Sequence, residues 1–382
     1  MERVGFEPQH EDFRESARRF VAAEIAPHHE QWERDGIVPR ELFGLAAEKG
    51  MIGFEIPEEH GGLGLADFRF NQVFTEEVCE AGVIGSGLGL IAHSDIILPY
   101  FLRHASEEQR QRWLPGIAAG EVVTALAMTE PGTGSDLAAI RTTAERGADG
   151  YLVNGAKTFI TNGINADLVV TAAKTDPAAG RRGISLLVLE PGMAGFERGR
   201  NLAKVGLHAQ DTAELFFNDV TVPAENLLGE EGRGFEYLIA RLARERLSVA
   251  ACAVAAARGG FELTLEYVRD RPAFGGSVAD FQATRFALAE MRTDLELATV
   301  FIDRAVAELN AGRLSVEDAA MAKWWCTEMQ GRVLDRCVQL HGGYGYMEEY
   351  PIARAWADAR VSRIYGGTTE VMKEIIGRSL TR

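Results

Sequence analysis

The segment VVTALAMTEPGTGSD, residues 122–136, marks the place where the pattern of the chain changes. Upstream of it, apolar residues such as Phe13, Ala17 and Phe20 recur at helical spacing among charged residues. The segment itself begins with a short β-prone run, Val122–Met128, and continues into a turn with two glycines. We therefore predict that a helical region ends near residue 122 and that a region of strands begins there.

Downstream, the chain alternates short β-prone runs with turns and then returns to the helical period. The runs Asp167–Ala173, Ile184–Leu189 and Glu214–Phe217 predict a small β-barrel or a sandwich. From about residue 232, four long amphipathic stretches predict a helical bundle. These stretches are Phe235–Ala257, Gly260–Arg269, Gln282–Asn310 and Ser315–His341.

The predicted fold class is α+β, with three domains in the order helices, strands, helices. We expect an N-terminal helical domain over residues 1–122 and a middle β domain, a small barrel, over residues 123–231. A C-terminal four-helix bundle is expected over residues 232–382.

The charge balance argues against two classes of partner. The 382 residues include 56 acids and 40 bases, which gives a net charge of −16. Nucleic acids and anionic lipids both attract basic surfaces, so neither a nucleic acid nor a membrane is expected as a partner. The N-terminal sequence MERVGFEPQHEDFRE lacks the apolar core of a signal peptide, and no run of ~18 apolar residues stands out. The expected location is the cytoplasm.

The cysteines and glycines exclude some common cofactor sites. Cys79, Cys252, Cys326 and Cys337 have no metal-knuckle or redox spacing, so we expect free thiols and no metal site. The segment GSGLGL at residues 85–90 lacks the final glycine and the preceding strand of a dinucleotide fingerprint. Any dinucleotide would therefore be held by loops, barrel edges and helix ends.

Two segments in the strand region combine glycines with hydroxyl or aromatic side chains. In Met128–Asp136, the glycines let backbone N–H groups approach a ligand, and Thr129 and Ser135 add hydroxyls, although an ordinary turn fits equally well. In Lys157–Gly163, Phe159 either belongs to the core or covers a planar ring.

Three further segments lie at the ends of predicted helices. Arg271 is either a bidentate partner for a pyrophosphate or an ordinary surface arginine. Gln339–Tyr346 ends a helix in glycines that permit close approach of a ligand or another backbone. Ile364–Glu370 leads into the last helix, whose first N–H groups favour an anion.

Together and in this order, TEPGTGSD, RPAFG with Gln282, QLHGGYGY and IYGGTTE resemble the acyl-CoA dehydrogenase family over nearly the whole chain. HGGYGYMEEYPIARA, YGGTTEVMKEII and SGLGLIAHS are most similar to its long-chain subfamily. The resemblance implies FAD as cofactor, an acyl-CoA substrate and a trans-2-enoyl product. It also implies an electron-transfer flavoprotein as acceptor and a homotetramer built as a dimer of dimers.

The resemblance further implies roles for individual residues. Contacts to FAD within one subunit are implied for Met128, Thr129, Gly134, Ser135, Phe159 and Thr161, completed by Thr368 and Glu370. Contacts to the FAD of a neighbouring subunit are implied for Arg271, Phe274, Gln282, Gln339, Gly342 and Gly343. Substrate contacts are implied for Ser135, Arg246, Tyr365, Gly366 and Gly367.

The catalytic base of many family members is missing from its usual position. Those members carry a glutamate directly after the tyrosine of the IYxG motif, where this chain has Gly366. Long-chain and isovaleryl members place the base on the first bundle helix, in a segment ending Glu-Arg-Leu, which corresponds here to Glu245 in LARERL. Glu245 falls within an apolar helical stripe, where burial would raise its pKa as a general base requires. The alternative is a simple pair between Glu245 and Arg241 at the edge of the stripe.

Other functions remain open at this level. The same fold could act on a carrier-protein thioester, serve as an oxygen-using flavin oxidase, or bind DNA without being an enzyme. The acidic balance argues against the last of these. Gly85, Gly87 and Gly89 either deepen an acyl pocket or let helices pack closely.

Overall fold

The computed structural model describes residue 3 and residues 5–381, and their helices and strands follow the predicted order. The described N-terminal region contains the helices α1 (Pro8–Phe20), α2 (His29–Asp35), α3 (Glu41–Glu48), α4 (Phe68–Glu80), α5 (Ile84–Ile91), α6 (Leu98–His104) and α7 (Glu107–Ala118). A π-helical segment, Val21–Ile25, continues α1, and a second, Ala92–Ile97, joins α5 to α6.

Local sequence signals account for where some of these helices begin. Ser106 and Gln109 form a reciprocal capping box at the start of α7, with Ser106 Oγ accepting the N–H of Gln109. Asp67 caps α4 by accepting the N–H of Arg69. Such side chains satisfy N–H groups that the first helical turn leaves unpaired.

The middle region contains the strands β1 (Thr124–Ala127), β2 (Thr143–Gly147), β3 (Gly150–Thr161), β4 (Leu168–Lys174), β5 (Ile184–Leu189), β6 (Phe196–Asn201) and β7 (Thr212–Pro223). They form one seven-stranded sheet with the pairing path β1-β4-β2-β3-β7-β6, and β5 pairs with β4. The sheet is mostly antiparallel, although β1 runs parallel to β4.

The sheet encloses a core of its own, as a small barrel does. Ala125, Tyr151, Val169, Leu187 and Val220 come from five different strands and meet in one buried apolar cluster. Beyond the end of β1, the N–H of Thr158 donates to the carbonyl of Thr129, at 2.9 Å. This hydrogen bond ties β1 to β3, which are not neighbours on the pairing path.

The C-terminal region contains α8 (Gly234–Asp270), α9 (Gln282–Asn310), α10 (Val316–His341), α11 (Pro351–Ala359) and α12 (Thr369–Leu380). A short hairpin, β8 (Pro272–Ala273) and β9 (Gly276–Ser277), joins α8 to α9.

The bundle has its expected helices except at one point. The stretches Phe235–Ala257 and Gly260–Arg269, predicted as two helices, are parts of the single helix α8. Gly259 and Gly260 do not break this helix but let neighbours approach it. A Cβ on Gly259 would lie 2.5 Å from the carbonyl of Glu80, and one on Gly260 would lie 2.3 Å from Leu334. The fourth helix of the bundle is the short α12, which packs against α10.

The three glycines of α5 serve close packing. A Cβ on Gly87 would lie 2.3 Å from Val78 of α4, and one on Gly89 would lie 2.6 Å from the side chain of Asn162. A Cβ on Gly85 would similarly meet Glu33, at 2.3 Å. Of the two interpretations offered by the sequence, the structure therefore favours helix packing.

Within the part of the chain that the structure describes, two helical stretches are long and apolar enough to cross a membrane by length and composition alone. They are Ile84–His104 and Gly234–Asp270, so the expectation of no such stretch was wrong on this criterion. However, 89% and 72% of their most apolar windows are buried inside the protein, as in core helices.

Substitution of Gly87 by alanine should destabilise the protein, because the side chain of Val78 is fully buried and stiff. We expect a loss of about 1–3 kcal/mol in the free energy of unfolding, the usual cost of overpacking. Gly377→Ala is the control, since a Cβ there meets nothing within 4 Å on the exposed helix α12. It should be neutral or stabilise by up to about 1 kcal/mol. Chemical denaturation measures both, and equal effects would contradict the packing role of Gly87.

Candidate active site

Glu245 lies in the N-terminal third of α8, on a buried stripe. Leu238, Leu242, Val249 and Cys252 of the same stripe are all less than 10% exposed, and Glu245 itself is 4% exposed. The predicted stripe is therefore confirmed, and the carboxyl is inside the protein.

The surroundings of the Glu245 carboxyl are mainly apolar. Burial raises the pKa of Glu245 to about 7, and the hydroxyl of Tyr100 and the charges of Arg246 and Arg241 only partly oppose this effect. The Tyr100 hydroxyl donates to Oε1 of Glu245 at 2.8 Å. Among the described residues, no ion pair within 4 Å joins Glu245 to Arg241, so the alternative of a simple surface pair does not apply. A carboxyl with this pKa can accept a proton near neutral pH.

The loop with Gly366 and Gly367 lies against the same face of α8. The ideal Cβ position of Gly366 is 3.7 Å from Val249, which is one turn beyond Glu245. Gly366 has φ +63° and Gly367 has φ +98°, a conformation that favours glycine. Among the described residues, the N–H of Gly366 has no acceptor, so it is available to a ligand.

Two buried cations support this loop. Lys323 of α10 is fully buried and donates to the carbonyl of Gly367 at 2.6 Å. Burial, with a contribution from nearby Arg246, lowers the pKa of Lys323 to about 8. Arg246 is 4% exposed, and its Nε has no partner within the described part of the chain. The two cations make this side of the site favourable for an electron-rich group.

A second group of predicted residues meets where β1 and β3 end. The hydrogen bond from Thr158 to Thr129 places Thr129 beside Phe159. Phe159 has φ 59° and is 68% exposed, which is unusual for a phenylalanine and excludes the core interpretation. Thr161 and Met128 are partly exposed at the same strand ends, and Gly134 approaches Thr129 at 3.7 Å from its ideal Cβ. Ser135 follows on the exposed loop.

A buried ion pair holds these strand ends together. Lys157 donates to Glu130 at 2.8 Å and to the carbonyl of Met128 at 3.1 Å, and both charged side chains are buried. Glu130 also accepts the N–H groups of Arg141 and Thr142. Because a buried charge is stable only when it is paired, the pair fixes the spacing of the two strands.

A third group lies at the far end of α8. Arg271, Gln339, Gly342 and Gly343 line one open cleft of about 470 Å³. The guanidinium of Arg271 lies over the ring of Tyr344, 5.0 Å from its centre. Arg271 follows the last residue of α8 and is 26 residues beyond Glu245, which corresponds to about 39 Å along the helix. The structure thus separates this cleft from the Glu245 site within one chain.

The remaining predicted residues point outward near this cleft or cap the last helix. Phe274 is 99% exposed at the tip of the β8–β9 hairpin, and Gln282 is exposed at the start of α9. The hydroxyl of Thr368 accepts the N–H of Val371 and caps α12, while Glu370 is exposed in its first turn.

The π-helical segment Ala92–Ile97 links the strand ends to α8. His93 is buried beside β1, with Nδ1 2.8 Å from the hydroxyl of Thr124. Asp95 accepts the hydroxyl of Ser248 on α8 at 2.6 Å and the side-chain amide of Asn71. Inserted π-turns often occur at functional sites, and this one positions the residues that follow it, including Tyr100.

Tyr100, Lys323 and Lys157 were not predicted as site residues from the sequence. For Lys323 a signal was present, because this lysine lies on the apolar stripe of α10 between Ala319 and Cys326. Nothing local indicates Tyr100, since its acceptor is 145 residues away in the sequence.

Comparison with known proteins agrees with these features. Three family models match, described as the N-terminal, middle and C-terminal domains of acyl-CoA dehydrogenase, at residues 7–121, 125–220 and 232–381. The "Long-chain specific acyl-CoA dehydrogenase, mitochondrial" of Sus scrofa is 48% identical over 98% of this chain and 87% of its own length.

Two solved structures are similar over the full chain. The acyl-CoA dehydrogenase from Geobacillus kaustophilus has a TM-score of 0.97 and 52% identity, covering 99% of this chain and 100% of that one. A chain of the structure described as "Electron transferring flavoprotein of Acidaminococcus fermentans" has a TM-score of 0.95 and 37% identity, covering 100% of each.

Helices, a β domain and a bundle around a buried carboxyl thus define a flavin-dependent class of oxidoreductase that acts on CH–CH bonds. The chain belongs to the acyl-CoA dehydrogenase family, and its resemblance to the long-chain enzymes is confirmed.

The raised pKa of Glu245 should make stability depend on pH. In the unfolded chain this carboxyl titrates near its ordinary value of 4.5, and in the folded protein near 7, so its ionisation opposes folding as pH rises between these values. Glu245→Gln should therefore gain stability over the wild type as pH rises from about 5 to 8, approaching about 3 kcal/mol.

Urea denaturation of both proteins across this pH range measures the difference. Glu262→Gln, an exposed substitution on the same helix, is the control and should follow the wild type. A stability difference for Glu245→Gln that stays constant with pH would contradict the buried, raised-pKa carboxyl.

Proposed function

We propose that this protein dehydrogenates acyl-CoA thioesters to trans-2-enoyl-CoA with FAD as cofactor and Glu245 as the base. One observation carries the proposal. The buried Glu245 carboxyl, with a pKa near 7, lies on the face of α8 against which the Gly366 loop packs, and the N–H of Gly366 is available there. A proton acceptor and a hydrogen-bond donor are the two groups that abstraction of a proton next to a carbonyl requires.

The residues present fit FAD in two places. The exposed ring of Phe159, held in a strained conformation beside Thr129 and Thr161, offers a flat apolar surface that the folded chain itself does not use. The cleft at Arg271 offers a guanidinium and glycine backbone to a pyrophosphate. FAD, when bound, supplies the acceptor for the hydride that leaves Cβ.

The thioester carbonyl would be bound by the N–H of Gly366. This donor belongs to the backbone, so it is retained although the side chain of a glutamate is absent. The hydrogen bond from Lys323 to the carbonyl of Gly367 keeps the loop in place. Negative charge that develops on the carbonyl oxygen is stabilised by this fixed donor and by the nearby charge of Arg246.

Glu245 would then accept the proton from Cα. With a pKa near 7, the Glu245 carboxylate can accept a proton at neutral pH. Its burial excludes water that would compete with the substrate for the carboxylate. Loss of the Cα proton and of the hydride from Cβ leaves the double bond between these two carbons.

We further propose a long acyl chain as substrate. The 48% identity to a long-chain enzyme supports this assignment. A cavity of about 210 Å³ adjoins Tyr365 and is bounded mainly by apolar groups such as Ile84, Cys252 and Ala256.

The separation of the two proposed FAD-binding groups supports sharing of the cofactor between subunits, and we propose the homotetramer, a dimer of dimers, that the resemblance implies. A cleft about 39 Å along α8 from Glu245 serves a neighbour's cofactor more readily than its own. We propose an electron-transfer flavoprotein as acceptor, which the similarity to a chain of the Acidaminococcus fermentans structure supports.

Glu245→Gln should retain the yellow cofactor and bind substrate, yet lose bleaching of the flavin by acyl-CoA under anaerobic conditions. The expected decrease in rate is about 10²–10⁴-fold, the usual contribution of a general base. Glu236→Gln, an exposed substitution on the same helix, is the control and should bleach at the wild-type rate. Bleaching by Glu245→Gln at the control rate would refute the role of Glu245.

The same assay separates the remaining alternatives. Faster bleaching by acyl-carrier-protein thioesters than by acyl-CoAs of equal length would change the substrate class. Rapid peroxide formation in air, without an electron-transfer flavoprotein, would indicate an oxidase instead of a dehydrogenase.

Arg271→Ala should lower the flavin content of the purified protein at least several-fold, because the cleft would lose its cationic group. Arg269→Ala removes an exposed arginine from the same helix and should leave flavin content unchanged. Flavin absorbance per polypeptide measures both variants. Equal flavin content in the two would show that Arg271 does not hold the cofactor.

A further inference from the structure

The contact between Tyr100 and Glu245 is unusually isolated from solvent. Tyr100 is fully buried, and its hydroxyl donates to Oε1 of Glu245 at 2.8 Å. No other described group shares this hydroxyl. Burial and the neighbouring Glu245 carboxyl raise the pKa of Tyr100, so the hydroxyl keeps its proton and acts as a donor near neutral pH.

The two oxygens of Glu245 have different surroundings. Oε1 accepts from Tyr100, whereas Oε2 has no donor within the described part of the chain. Charges near the carboxyl come from Arg241 and Arg246 of its own helix, and α6 contributes Tyr100. The Gly366 loop is held by the buried Lys323 of α10, which lies near Arg246. His104 of α6 lies beside the ring of Tyr100, and Asp95 is bonded to Ser248 on α8. Within the described residues, Tyr100 makes the one hydrogen bond to the carboxyl.

Tyr100 is itself held in a fixed position. It follows Pro99 in the first turn of α6 and belongs to a buried apolar cluster with Leu98 and Phe101. The π-helical segment before it is tied to α8 by the hydrogen bond between Asp95 and Ser248. Ser248 is three residues after Glu245. Two hydrogen bonds less than one helical turn apart, at Glu245 and at Ser248, therefore attach α8 to this stretch.

We propose that Tyr100 is a positioning residue that fixes the Glu245 carboxyl through Oε1 and leaves Oε2 to accept the proton from the substrate. The inference rests on the proposed role of Glu245 as the base. A glutamate side chain has three rotatable bonds, and a single fixed donor removes much of this freedom. The same donor stabilises the ionised carboxylate, the form that can accept a proton.

Tyr100→Phe removes the hydroxyl and keeps the ring. The ionised form of Glu245 then loses its donor, so its pKa should rise. We expect the acidic limb of the kcat/KM profile to move to higher pH by about one unit, the effect of losing one hydrogen bond to a charged group. Near neutral pH, kcat should fall about 10-fold while KM changes little, because the substrate's own contacts remain.

Tyr151→Phe is a matched control. Tyr151 is also buried and also donates to a glutamate, Glu231, at 2.8 Å, but it lies in the β domain. This variant should keep the wild-type pH profile. Equal shifts in the two variants would mean that the effect is general loss of stability and would overturn the proposal.

A readout independent of turnover follows the carboxyl itself in the holoenzyme. The infrared band of the protonated Glu245 carboxyl is identified by its absence in Glu245→Gln, and its titration midpoint is then measured. The midpoint should rise in Tyr100→Phe by the same amount as the kinetic limb. An unchanged midpoint would overturn the proposal.

Incorporation of 3-fluorotyrosine in place of Tyr100 keeps the test decisive if the phenylalanine variant does not fold. Its more acidic hydroxyl is a stronger donor of nearly the same size, so the midpoint and the kinetic limb should move to lower pH. Movement to higher pH, or none, would contradict the positioning role.

If Glu245→Gln keeps its activity, the proposed function fails. If only the shifts at position 100 are missing, the positioning role alone fails.

Discussion

The burial of one carboxyl determines much of the arrangement around it. Glu245 occupies an apolar stripe of a 37-residue helix, where an ionised group is costly without polar neighbours. The hydroxyl of Tyr100, which comes from α6, is this polar neighbour. The π-helical segment that precedes α6 orients the helix so that Tyr100 contacts Glu245. The hydrogen bond from Ser248 to Asp95 attaches the same turn to α8. The site is in this way built between two elements far apart in the sequence.

With the proposed base on a helix, the loop opposite needs to contribute no acidic side chain. Gly366 contributes only its backbone, in a conformation that glycine adopts without strain. The loop can then be fixed by a single buried lysine, Lys323, through the carbonyl of Gly367. In the proposed mechanism, proton transfer and carbonyl binding consequently belong to two elements that pack against each other at Val249.

The sequence predicted those features that depend on local periodicity. The order of helices and strands and the position of Glu245 on the stripe are examples, because each can be recognised within a few turns of chain. The continuity of α8 could not be predicted, because Gly259 and Gly260 allow close packing against residues that are remote in sequence. The same holds for Tyr100, whose acceptor is equally remote. The glycine loops were recognised through the resemblance to a family, since each alone fitted an ordinary turn.

The apolar stretch from α5 to α6 has a consequence for the synthesis of the protein on the ribosome. Residues Ile84–His104 are 89% buried in their most apolar window, and α8, which begins at Gly234, provides part of the cover of their second half. The whole β region has to be translated before this cover exists. Until then, a stretch apolar enough to enter a bilayer lacks this part of its cover, and such exposed surface promotes aggregation of incomplete chains.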